Sequence, residues 1–249
     1  MKDKVVFFTI VDDRYYYPVG TPIFINSFKR FHPDIDLVVF RQDMVDKIFK
    51  EKGIDFYCAK PTFAKLLTPY YELVVNIDAD TVVTARLDPV LTADYEVGGA
   101  WNKNDYEDAA FENITADMYV QAGMVGSRNP KFWDIWEEAN KDYKKYIRKE
   151  NDTLNLVWYN DPTVSKMKRM IWDKEMSGYL GCKSLNREKE FMMRGSELVC
   201  RNEPVYAYHW AKGGAFPKLD FSKMGVDDEV RQYLEMCGHY GKSVRYSSL

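Results

Sequence analysis

Four short apolar runs alternate with stretches of helical periodicity over roughly the first ninety residues, and this alternation constrains the fold more than any other feature. VVFFTIV (5–11), DLVVF (36–40), IDFYC (54–58) and ELVVNID (72–78) read as strands buried on both faces, which need no polar alternation. Apolar residues at 24, 28 and 31 predict a helix within Pro18 to Phe31 that His32-Pro33 stops. DMVDKIFKEKG (43–53) predicts a helix with a glycine stop, and FAKLL (63–67) another helical piece. The pattern predicts an α/β fold with an open, mostly parallel, Rossmann-like sheet and helices on both faces. Ligands of such sheets bind beyond the carboxyl ends of the strands.

Past residue 90 the alternation loosens. YEVGGAW (95–101) and MYVQAGMVG (118–126) predict strands separated by a polar loop. A helix follows, with Asn129 as N-cap, Pro130 in the first turn and apolar positions at 132, 136, 139, 143 and 146. NDTLNLVWY (151–159) predicts a shorter helix, 160–200 is basic, Met-rich and irregular, and EPVYAYHW (203–210) predicts a last strand. No repeat or linker divides the chain, so one domain with a variable C-terminal third is expected, made of a first half (1–90), a second half (91–215) and a C-terminal tail (216–249). The net charge of −3 gives no bulk positive field for nucleic acid or anionic membrane. Four scattered cysteines without a C-x-x-C pair, and no secretory signal, predict reduced thiols and a cytoplasmic location. No apolar run is long enough to span a membrane.

The chemistry concentrates at LVVNIDADTVV (73–83). Asp78 and Asp80, with Ala79 between them, share one face of an extended chain and repel each other when buried unless a cation lies between. Carboxylate oxygens suit Mg²⁺ or Mn²⁺, and an added imidazole tilts the choice toward Mn²⁺. Of three histidines, His32 precedes a proline at a helix end and reads as structural, and His239 lies in a polar tail. His209 closes the aromatic run YAYHW, with Lys212, Gly213 and Gly214 following at once. It reads either as a metal ligand beside a phosphate-neutralising lysine or as a core histidine satisfied by a carbonyl.

On these residues the chain resembles the GT-A glycosyltransferases of the glycogenin and lipopolysaccharide galactosyl- and glucosyltransferase type, from residue 5 to about 214 and patchily after 130. TIVDDRYYYPVGTPIFINSF is similar to that family's nucleotide-binding opening, which implies Ile10, Val11 and Asp12 along the uracil and ribose and Tyr16 stacked on the base. FAKL implies Lys65 near the diphosphate or donor sugar, and IDADTVV implies Asp78 and Asp80 as metal ligands. QAGM (121–124) implies Gln121 under the sugar, NDTLN implies Asp152 beside it, and His209 falls on the family's C-terminal metal ligand. The chain departs from the pattern at Gln121 (usually Asn), at Thr153 (usually Gln) and after His209, where Lys212 or Lys218 takes the phosphate role. The resemblance implies an Mn²⁺- or Mg²⁺-dependent hexosyltransferase using a UDP-sugar with retention, on a glycan, glycolipid, protein or modified-nucleobase acceptor.

Two rival readings use the same aspartates. A haloacid-dehalogenase-like phosphatase would take Asp78 as nucleophile and Asp80 as general acid, but it normally opens its fold with that motif and needs a later acidic pair, for which Asp227-Asp228 is the candidate. A non-catalytic nucleotide-sugar binding protein would keep the fold and lose the reaction. The segment 158–193 carries more basic than acidic residues, and either an anionic acceptor or a solvated basic face accounts for it.

Overall fold

The computed structural model describes residues 3–11, 20–101, 113–175, 180, 182–183, 191–194, 197–200 and 202–209. The strands β1 (Asp3–Ile10), β2 (Asp36–Phe40), β3 (Tyr71–Ile77), β4 (Thr81–Val83), β5 (Val97–Trp101), β6 (Val120–Ser127) and β7 (Arg169–Ile171) account for the central architecture. All but β4 join one six-stranded sheet in the order β2-β1-β3-β6-β5-β7. β1 runs parallel to β2 and β3, and β5 parallel to β7; β6 is antiparallel to both of its neighbours. The mostly parallel sheet expected from the sequence is present, with β6 as its reversed strand.

The helices α1 (Gly20–Phe31), α2 (Gln42–Lys52), α3 (Lys60–Leu67), α4 (Asp88–Thr92), α5 (Pro130–Ala139), α6 (Glu150–Asn160) and α7 (Trp172–Glu175) cover this sheet. Strand alternation divides the core between two faces. Val6, Phe8 and Ile10 of β1 share one cluster with Phe63 of α3, Trp133 and Trp136 of α5 and Trp158 of α6. Phe7, between them, packs on the other face with Leu73, Val75 and Ile77 of β3 and Phe24 and Phe28 of α1. Truncating one fully buried tryptophan such as Trp133 to alanine should cost about 3–5 kcal/mol.

The last third adds short strands: β8 (Cys182–Lys183), β9 (Phe191–Arg194), β10 (Glu197–Cys200), β11 (Glu203–Pro204) and β12 (Ala207–His209). β4, β12 and β8 form one small sheet, and β11, β10 and β9 another. The single strand expected over 203–210 is therefore two strands in different sheets.

Two other expectations change. IDFYC is not a strand: Phe56–Ala59 is a 3₁₀ turn capped by Asp55, whose carboxylate accepts from the Tyr57 amide, and it runs directly into α3. Its apolar content is real but serves one face only, since Cys58 and Ala59 are buried while Tyr57 is exposed. The helix after Asn129 ends at Ala139 and continues as a 3₁₀ turn over Asn140–Lys145 instead of remaining regular to 146. Its N-cap is as expected, with Asn129 accepting from the Lys131 amide. α2 stops at Lys52 before Gly53, whose φ of +65° suits a residue without a Cβ.

Candidate metal and donor site

β3 delivers the chain to the middle of the sheet and ends at Ile77. Asp78 then donates its amide to the carbonyl of Gly123 on β6 (2.8 Å), and the chain turns through Ala79 and Asp80 into β4. The aspartates thus converge through a turn and not through strand alternation. β4 in turn pairs antiparallel with β12, in the register Thr81↔His209. That pairing brings an imidazole from far along the chain to the turn.

Asp78, Asp80 and His209 each offer a ligand atom, all within 4.8 Å of one another. His209 Nε2 lies 2.8 Å from Asp80 Oδ1 and 3.8 Å from Asp78 Oδ2. Burial opposes ionisation of Asp80, but His209, its hydrogen bond and Lys60 outweigh burial and hold the carboxyl below the usual range. Two carboxylate oxygens and an imidazole nitrogen are a donor set that fits a divalent cation. Gly123 keeps the space open: a Cβ there would lie 2.8 Å from His209 Cε1 and 3.1 Å from Asp78 Oδ2.

The floor of the site is a register break. Gly99 pairs with Val125 but Ala100 pairs with Gln121, so Ala122, Gly123 and Met124 bow away from β5. The Ala122 carbonyl accepts from Lys60 Nζ and Asn76 Nδ2, each at 3.1 Å, while its amide donates to Asn151 Oδ1 at 2.9 Å. The bulge is therefore held by side chains from three elements.

Among the described residues, Lys60 is the lysine that contacts this cluster. It stands at the first position of α3, and its Nζ lies 2.9 Å and 3.2 Å from the two oxygens of Asp78 and 3.9 Å from Glu150 Oε1. Burial would favour its neutral form, yet Asp78 and Glu150 raise its pKa above the ordinary lysine value. Glu150 opens α6; burial, against the pull of Lys60, pushes its carboxyl up to about 7.

Several expected residues stand elsewhere. Lys65 is not in this cluster; its Nζ pairs with Asp134 and Glu137 of α5, at 2.7 Å each. Asp152 is buried, and its carboxylate accepts from Tyr119 Oη and the Arg148 amide, a structural clasp at the start of α6. Glu150, two residues earlier on the helix, is the carboxylate that faces Lys60. Gln121 is buried with Oε1 3.3 Å from His209 Nδ1, and Thr153 bonds Asn140 and the Glu150 carbonyl inside the core. Ile10 and Val11 are buried at the end of β1, where the Val11 amide donates to Phe40. Asp12, Tyr16, Lys212, Gly213, Lys218, Asp227, Asp228 and His239 lie outside the described residues.

His32 is structural, as expected: its Nε2 accepts from the Leu87 amide at 2.8 Å, and Nδ1 faces the Phe28 carbonyl at 3.3 Å. Cys58 and Cys200 are buried, and burial pushes the Cys58 thiol up to about 12, away from reactivity. Lys60 and Glu150 were missed because the sequence signals lay beside them. Pro61 marks a helix start and so places Lys60 at its head. Glu150 directly precedes the NDTLN stretch.

No protein-family model and no curated protein sequence matches this chain. Solved structures do share its fold. LgtC, a galactosyltransferase solved with donor and acceptor sugar analogues, superposes with a TM-score of 0.55 and 13% identity over 94% of this chain and 95% of its own. WbbM, a bifunctional glycosyltransferase, gives 0.56 at 16% identity over 85% of this chain, which spans only 46% of WbbM. GlyE, a glycosyltransferase of Streptococcus pneumoniae TIGR4, gives 0.51 at 12% identity over 95% of this chain and 60% of its own in the apo form. The fold is the GT-A glycosyltransferase fold. Among the described residues no helix is long and apolar enough to cross a membrane.

Proposed function

We propose that this chain is a metal-dependent glycosyltransferase that moves a hexose from a nucleotide-sugar, a UDP-sugar, to an acceptor with retention of configuration. One observation carries the reading: Asp78, Asp80 and His209 meet at the carboxyl end of a central strand, where open α/β sheets bind their ligands. In the proposed site these three residues hold Mn²⁺ or Mg²⁺. A divalent ion bound there supplies Lewis acidity toward the departing diphosphate.

The chain's own groups do the remainder. Lys60 fixes the Asp78 carboxylate from the protein side, leaving its other face to the ligand. A fixed ammonium at this depth also stabilises negative charge that grows on the leaving group, since it needs no reorganisation. Glu150, held by Lys60 and by Asn151 Nδ2 at 3.3 Å, is the carboxylate positioned to orient the transferred sugar, in place of Asp152. The acceptor, whether glycan, glycolipid, protein or modified nucleobase, is not specified by these groups. The cytoplasmic location remains a reading of cysteine usage.

Thermal unfolding against UDP, other nucleoside diphosphates and UDP-hexoses, each with and without Mn²⁺, tests the reading. UDP at a hundredfold excess over its Kd should stabilise the fold by about 2.7 kcal/mol, and only with Mn²⁺ present. No response to any nucleotide, or an equal response without metal, defeats it.

A further inference from the structure

We propose that Gln121 is the positioning residue of the metal site: it sets the tautomer and ring angle of His209 so that Nε2 presents its lone pair to the cation. The inference rests on the metal-site reading above and goes beyond it to a residue that bonds the ligating imidazole. Gln121 Oε1 lies 3.3 Å from His209 Nδ1, and both side chains are buried. A carboxamide oxygen only accepts, so this contact exists only when Nδ1 carries the proton. Without a cation Nε2 carries a proton and donates to Asp80 at 2.8 Å, with Asp78 at 3.8 Å; a cation displaces that proton, and the ring keeps the one on Nδ1 that Gln121 accepts. A ring that kept its one proton on Nε2 would satisfy Asp80 but leave no lone pair for a metal.

The fold around the ring has the same effect. Gly123, two residues along β6, clears the volume against the ring edge that a Cβ would occupy, 2.8 Å from Cε1 and 3.0 Å from Nδ1. β12 pairing with β4 fixes the His209 backbone. The remaining freedom is in the two side-chain torsions of His209, and the Gln121 contact restrains the ring.

The test measures metal, not turnover. Mn²⁺ binding to the full chain, followed by electron paramagnetic resonance without nucleotide, should weaken roughly 10- to 100-fold in Gln121→Leu and in Gln121→Asn. Gln121→Glu, which keeps the reach and the acceptor, should stay within about threefold of the wild type. In parallel, ¹⁵N NMR of the Mg²⁺-loaded wild type should show His209 as the Nδ1–H tautomer. Wild-type affinity in Gln121→Leu, a Gln121→Glu as weak as Gln121→Leu, or an Nε2–H tautomer overturns the proposal. If Gln121→Leu fails to fold, Gln121→Glu and the tautomer decide. A wild type that binds no Mn²⁺ defeats the metal reading itself, whereas the other failures leave that reading intact.

Discussion

Asp80, one of the three residues proposed to hold the metal, is buried and bonded to His209. Replacing it by asparagine removes the charge while keeping the shape. Asp80→Asn should lower Mn²⁺ affinity at least about tenfold and abolish transfer, with circular dichroism unchanged. Retained turnover in Asp80→Asn would remove that carboxylate from the mechanism. Lys60 gives a different signature. Removing one partner of a buried ion pair costs about 3–5 kcal/mol, so Lys60→Met should be strongly destabilised without metal. A divalent ion restores the missing positive charge, so Mn²⁺ should raise the melting temperature of Lys60→Met more than that of the wild type. The aspartates were legible because a turn keeps neighbours in sequence close in space. Lys60 against Lys65, and Glu150 against Asp152, were not, because positions two or five apart on a helix point in different directions and the phase depends on packing.

At the scale of elements, the acid limit of the fold should be written at the joint between α1 and α4. Burial, with Arg86 adding to it, lowers the His32 pKa from 6.5 to about 4, against the Phe28 carbonyl, Asp34 and Asp88, which favour the charged form. Its Nε2 accepts from the Leu87 amide and has no room for a second proton. The unfolded chain therefore binds a proton more readily than the folded one between these values. Stability from this group is complete above about pH 6.5 and is lost as the pH falls toward 4, by about 3 kcal/mol. Urea titrations at pH 7 and pH 4.5 should show His32→Gln losing less stability over that interval than the wild type; equal losses would place the acid sensitivity elsewhere. Asp55 bears on another element. It caps the 3₁₀ turn before α3 and accepts from Tyr143 Oη at 3.0 Å. Asp55→Ala should cost about 1–2 kcal/mol in chemical denaturation and displace Lys60 with α3. The same cap explains why IDFYC misled: a β-like composition yields to a side chain that satisfies the amide two residues on.

For the whole molecule, the succession of strands and helices was readable up to β3, IDFYC apart, because each layer is built from neighbours in sequence. The pairing of β4 with β12 was not, since no local pattern states which distant strand completes a sheet edge. The reversal of β6 was hidden likewise, because a strand buried on both faces has the same composition in either direction. The β4–β12 joint also has a temporal meaning. A chain emerging from the ribosome presents its acidic turn long before its imidazole, so the proposed coordination sphere stays incomplete until one of the last described strands docks. Synthesis and maturation of that proposed centre are thereby separated within a single polypeptide, and a nascent or truncated chain lacking that strand would have no finished cation seat.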